Sequence, residues 1–209
     1  RAAKVMDEIF AVQAWQGNPA FASRVAAITG PGAAAAKDYY RIMMGPWDRL
    51  RAAEAFLSNL PHPEGAGFYP EDLTREELDA WLRDHPSDRA ALTSPTTVVV
   101  RQDGGLVAVP YSRAYAGLLP RAAAELRAAA EATTNASLKK FLTLRADAFA
   151  SDDYFASDMA WMDLDSPIEV VIGPYETYED GLFGYKAAFE AFICVEQPEE
   201  SARLSKYKS

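Results

Sequence analysis

Apolar residues recur at helical spacing from the start of the chain. Val5, Ile9 and Val12 form one stripe and predict a helix over residues 3–16. Gly17-Asn18-Pro19 ends it, and Gly30-Pro31-Gly32 ends the segment that follows. A helix is expected from Ala33 to Met44, with Tyr40, Met43, Met44 and Trp47 supplying bulk before Gly45-Pro46 breaks it. Residues 61–70 read as a loop. Thr74 and Glu77 then have the spacing of a capping box, with Leu73 and Leu78 at the staple positions. Leu78, Trp81 and Leu82 give that helix one apolar face, and Pro86 stops it.

The period then changes. Residues 96–101 and 105–109 are β-branched runs around Gln102-Asp103-Gly104, a hairpin signal with Asp-Gly at the turn. Residues 120–131 return to a helix, with Pro120 suited to its first turn. Another helix spans 137–150, with Leu138, Phe141, Leu142 and Phe149 on one stripe. Residues 168–172 and 189–195 read as strands. The strands come in adjacent pairs, which argues against a doubly wound parallel sheet. The pattern predicts an α+β fold, helix-dominated with short antiparallel strand pairs. Residues 1–59 form a helical part and 60–209 an α+β part, within a single lobe.

Charge narrows the function classes. Against 21 Lys and Arg the chain has 30 Asp and Glu, a net charge of −9. That balance opposes nucleic-acid binding by counterion release, and no run is long enough for a membrane helix. The excess is local: residues 151–209 carry 13 acidic and 4 basic side chains. No basic segment followed by an apolar run opens the chain, so no leader is read there. The one cysteine, Cys194, sits in an apolar strand and reads as a small buried hydrophobe. His62 and His85 each precede a proline and read as loop residues, with no metal-ligand spacing.

The segment from Gly173 to Phe192 holds three tyrosines, four acids and three glycines. One reading is a solvated hairpin loop. A functional reading rests on two details. Glu176 and Tyr178 share a face if the strand before them continues. Glu190 interrupts an apolar strand, where an inward carboxylate needs a partner. Two carboxylates with a nearby phenol could hold an ammonium group and polarise a carbonyl.

The runs Glu176-Thr177-Tyr178, Phe183-Gly184 and Phe189-Glu190-Ala191-Phe192 resemble the dipeptidyl peptidase III family of zinc metallopeptidases. The likeness is to its bacterial and plant members more than to the animal enzymes. Asp152-Asp153-Tyr154, Ser157 to Met162 and Gly65 to Asp72 extend it. The resemblance implies a two-lobed protein with a cleft, of which this chain is the non-zinc lobe with a small β-barrel core. It implies that Tyr178 hydrogen-bonds the scissile carbonyl and that Glu176 and Glu190 hold the free amino terminus of a peptide. Two departures stand out. Glu179 occupies a position where the animal enzymes carry arginine, and the loop has one extra residue before Phe183.

The family's zinc is held by a His-Glu-x-x-Gly-His-type helix and a later glutamate, and neither motif is in this sequence. The chain is therefore expected to be part of a longer polypeptide. Zinc would belong to the full-length parent and none to this chain. The partners implied are a peptide substrate and the missing zinc-binding lobe, with no nucleic acid and no membrane. A peptide-binding or scaffolding protein without zinc is the alternative, and a different hydrolase carrying this lobe is a third.

Overall fold

The computed structural model describes residues 1–207. In chain order the elements are α1 (Ala2–Ala14), α2 (Asn18–Ala26), α3 (Ala33–Met43), β1 (Trp47–Asp48), β2 (Glu54–Ala55), α4 (Arg75–Asp84), a 3-10 turn (Pro86–Asp88), α5 (Arg89–Leu92), β3 (Thr97–Gln102) and β4 (Gly105–Pro110). They continue with α6 (Tyr111–Ala114), α7 (Leu119–Ala132), α8 (Ala136–Ser151), α9 (Phe155–Met162), β5 (Ile168–Glu176), β6 (Ala188–Val195) and α10 (Pro198–Ser205). Among the described residues the strands make three two-stranded sheets, β1–β2, β3–β4 and β5–β6. The helix-rich α+β class is as the sequence predicts. Helices α2, α5, α6, α9 and α10 and the β1–β2 pair are additions to it.

The described residues group into two compact units. The first comprises Arg1–Met6, Gly117–Gly173 and the chain from Glu190 onward. Here α7 packs on α8 through Ala122, Ala123, Leu126 and Ala130 against Leu138, Phe141 and Leu142, all buried. The alanines let the helices approach closely. Each fully buried Leu or Phe contributes about 2–3 kcal/mol. Asn135 caps α8, its side chain accepting from the Leu138 amide at 2.9 Å. Arg145 also lies on the buried face of α8. Its Nη2 donates to Asp158 Oδ1 at 2.5 Å, and its guanidinium lies over the Phe141 and Tyr154 rings. The apolar stripe predicted for this helix gives no hint of that buried cation.

The second unit comprises Asp7–Ala116 and Pro174–Phe189. Its β3–β4 hairpin turns at Asp103 (φ 50°) and Gly104 (φ 80°), the two left-handed positions of a type I′ turn. Thr74 Oγ1 accepts from the Glu77 amide at 3.2 Å, and Leu73 and Leu78 are buried. The capping box is only half made, because the Glu77 carboxylate bonds Arg101 at 2.6 and 2.9 Å. The two-charge contact outcompetes a single backbone amide. Gly67 donates to the Gln13 carbonyl at 2.6 Å, so close to α1 that a Cβ there would lie 1.9 Å from the Val12 oxygen. Only glycine permits that approach.

Two local expectations need correcting. Cys194 is exposed, because β6 is buried only at its Ala188–Phe189 end and Phe192 to Val195 face outward. Strand β5 stops at Glu176, and the Asp180 amide closes a turn onto the Thr177 carbonyl at 3.1 Å. Strand alternation therefore does not carry Tyr178.

Candidate functional site

The loop after β5 is built around Asp180, which is 3% exposed. Its Oδ1 accepts from the amides of Leu182 (3.2 Å) and Phe183 (3.0 Å). Its Oδ2 accepts from the Tyr69 hydroxyl (2.7 Å) and the amides of Tyr185 (2.9 Å) and Lys186 (3.1 Å). One carboxylate thus folds six residues of backbone around itself. Burial, and then the charge of Asp180, push the Tyr69 phenol far up, so it remains a donor. Lys186 closes the far side. Its Nζ donates to the carbonyls of Leu92 (2.6 Å) and Ser94 (2.9 Å) and to Thr97 Oγ1 (2.8 Å). Burial pulls its ammonium down to about 7, with Asp180 opposing.

Glu179 anchors the other end. Its carboxylate is held by both terminal nitrogens of Arg49, whose guanidinium also lies over the Phe10 ring at 5.2 Å. Burial raises the Glu179 carboxyl above its ordinary 4.5, and Arg49 opposes the shift through its charge and then its hydrogen bonds. A carboxyl raised in the folded state stabilises fully below its unfolded pKa, and that contribution is lost as pH rises through the folded value. Arg49→Leu would raise it further. The variant's deficit in urea unfolding should be smallest below pH 4.5 and grow by about 1–3 kcal/mol by neutral pH, less than for a fully buried pair because Arg49 is partly solvated. A constant gap across that range would show that Glu179 does not respond to Arg49.

Immediately before these anchors Tyr178 is 74% exposed. It borders an open cavity of about 510 Å³, lined by Met43, Met44, Trp47, Ala52 and Ala53 together with the polar Arg49, His62 and Glu64. The wall is a corner of backbone. Asn18 Nδ2 bonds the Ala11 and Met44 carbonyls at 2.7 and 2.8 Å, tying the end of α3 to α1. The Trp47 indole donates to the Leu60 carbonyl at 2.7 Å. His62 Nε2 donates to the Ala14 carbonyl at 3.2 Å, and burial lowers its pKa, so the ring is neutral at pH 7.

Of the predicted site residues, Glu176 is exposed at the end of β5 and Tyr178 is exposed two residues later, both in the second unit. Glu190, half-buried on β6, belongs to the first unit. The acidic excess of the last 59 residues is only partly a surface property, because Glu179 and Asp180 are buried within the loop. Arg49 was missed in the sequence. It lies 130 residues from Glu179, and no local signal joins them.

Fold and motif place the chain among the peptidases. It belongs to peptidase family M49, whose model matches residues 88–208. Its likeness to the solved dipeptidyl peptidase III of Caldithrix abyssi is 55% identity with a TM-score of 0.95, over 99% of this chain and 40% of that one. For the dipeptidyl peptidase III of Corallococcus sp. strain EGB the values are 44% and 0.92, over 99% and 39%. Nudix hydrolase 3 of Arabidopsis thaliana is 35% identical over 260 aligned positions, 98% of this chain and 33% of that protein. The chain spans about 40% or less of the length of these relatives.

The family is one of metallopeptidases. Zinc requires three or four convergent His, Cys, Asp or Glu donors. Among the described residues no three such side chains converge, so they do not fit the metal. No described helix is long and apolar enough to cross a membrane.

Proposed function

We propose that this chain is the substrate-binding lobe of a longer, two-lobed zinc-dependent dipeptidyl peptidase, which removes dipeptides from the free amino terminus of peptides. In this reading Tyr178 donates to the scissile carbonyl, and Glu176 and Glu190 hold the peptide's ammonium group. Zinc and its ligands lie in the other lobe. The observation that carries the reading is the presentation of Tyr178. An exposed phenol stands beside two buried, fully engaged acids, Glu179 and Asp180. A rigid base under an exposed donor is what stabilisation of a developing oxyanion requires.

An ammonium anchor fixes the distance from the amino terminus to the cleaved bond, which explains dipeptide release. In the complete polypeptide, Glu190→Gln should lower kcat/KM for free-amino peptides by about 10- to 100-fold, mainly through KM. The decisive comparison is a tetrapeptide against its amino-acetylated form. Equal cleavage of the two by wild type would defeat the anchor. A complete polypeptide that binds peptides and cleaves none would instead be the peptide-binding scaffold.

A further inference from the structure

Lys186 is fully buried and takes no part in the contacts proposed for the substrate. Its Nζ has three partners, the Leu92 and Ser94 carbonyls and Thr97 Oγ1. The Thr97 hydroxyl gives its own hydrogen to a carbonyl, Ala91 at 2.8 Å or Ser94 at 3.3 Å, so it too accepts from the lysine. Three acceptors need three hydrogens, and only the ammonium form has them. A neutral amine has two hydrogens and a lone pair. One acceptor would then face that lone pair in a site closed to water, which is the costly way to lose a hydrogen bond.

Two titratable groups face the ammonium. Asp180 lies on the same loop, and its charge favours the proton. The Tyr69 ring lies 5.7 Å away, with its hydroxyl spent on Asp180. The segment on the other side, residues 92–97, reads Leu-Thr-Ser-Pro-Thr-Thr and carries no charge. One carboxylate is thus set against the burial of the cation, and burial prevails, pulling the ammonium down to about 7.

The same side chain ties two segments together. Leu92, Ser94 and Thr97 belong to the connection from α5 into β3, where the Ala187 amide also bonds the Pro95 carbonyl at 2.9 Å. The Lys186 amide bonds Asp180 Oδ2, and the Asp180 amide closes the turn onto Thr177 that brackets Tyr178. The tie therefore runs from the α5–β3 connection through Lys186 and Asp180 to the backbone on both sides of Tyr178. We propose that Lys186 is a positioning residue: its ammonium fixes the loop in the form that presents Tyr178, and loss of its proton as pH rises releases the loop. The catalytic consequence rests on the peptidase reading, in which Tyr178 must meet a developing oxyanion.

The test uses the complete polypeptide, its Lys186→Met variant and a free-amino tetrapeptide. Methionine fills the space of the lysine stem and does not titrate. The readout is kcat of the variant divided by kcat of wild type, because groups of the other lobe that titrate affect both alike and cancel. That ratio should be about 0.1 at pH 6 and rise to about 1 by pH 9, with KM within about threefold throughout. A ratio that does not change with pH would overturn the proposal, since a side chain needed only for packing costs the same at every pH. Wild type gives a second readout that needs no variant. Hydrogen exchange at the Leu182, Phe183, Tyr185 and Lys186 amides, corrected for its intrinsic pH dependence, should quicken by about tenfold from pH 6 to pH 9, while that of α8 holds steady. Unchanged protection of those four amides would overturn the proposal even where the variant fails to fold. A wild type that cleaves no free-amino peptide would overturn the peptidase reading and the catalytic role of Lys186 with it, whatever the exchange shows.

Discussion

Replacing Tyr178 by phenylalanine in the complete polypeptide should lower kcat by about 100- to 1,000-fold and leave KM within a factor of about three. The size follows from the loss of one preorganised donor to an oxyanion, worth about 3–4 kcal/mol in the transition state. KM barely moves because the uncharged carbonyl of the bound substrate gains little from that donor. The substitution should not disturb the fold, since the ring is exposed and the anchors are its neighbours Glu179 and Asp180. Unfolding within about 0.5 kcal/mol of wild type would verify that. An active Tyr178→Phe enzyme would remove the phenol from the chemistry. A proportional rise in KM would make it a binding group only.

The second large effect is on stability. Asp180→Ala should destabilise the chain by about 3–5 kcal/mol, read from urea unfolding. The deletion leaves the Tyr69 hydroxyl and the amides of Leu182, Phe183, Tyr185 and Lys186 without their acceptor. Buried donors without acceptors cost about 1–3 kcal/mol each, and local relaxation recovers part of that. It also removes the charge that opposes the loss of a proton by Lys186. Asp180→Asn keeps one oxygen and should lose about half as much. A loss under about 1 kcal/mol for the alanine variant would mean that the loop is held by its aromatic contacts instead.

The contrast between these residues shows what the sequence could reveal. Asp103-Gly104, Thr74 with Leu73 and Leu78, and the stripe Leu138, Phe141, Leu142 and Phe149 are set by neighbours within a few positions. Local spacing identifies them. Tyr178, Glu176 and Glu190 were legible through the motif they share. The roles of Glu179 and Asp180 were not, because both look like solvated loop acids. Their burial depends on Arg49 and Tyr69, 130 and 111 residues away. The cavity wall was hidden for a related reason. Gly45-Pro46 marks a break, but the left-handed turns at Met44, Ala52 and Ala53 fall on residues with no intrinsic preference for them. Cys194 shows the converse: an apolar run signals a strand, while exposure depends on what lies beside it.

Gln13 sets the order in which the second unit can form. Its side chain is fully buried on α1, donating to the Ala187 carbonyl at 3.3 Å and accepting from the Phe189 amide at 2.7 Å. Those partners lie 174 and 176 residues downstream. During synthesis at about 5–20 residues per second, they follow it out of the ribosome by roughly ten to thirty-five seconds. Through that interval the Gln13 side-chain amide has neither of its native partners, although Gly67 and His62 can already reach the helix end. Its closure is a late, long-range step with a high loop entropy. The unit that presents Tyr178 therefore completes only after the chain has been made through Phe189, the interval in which a chaperone would have the most to bind.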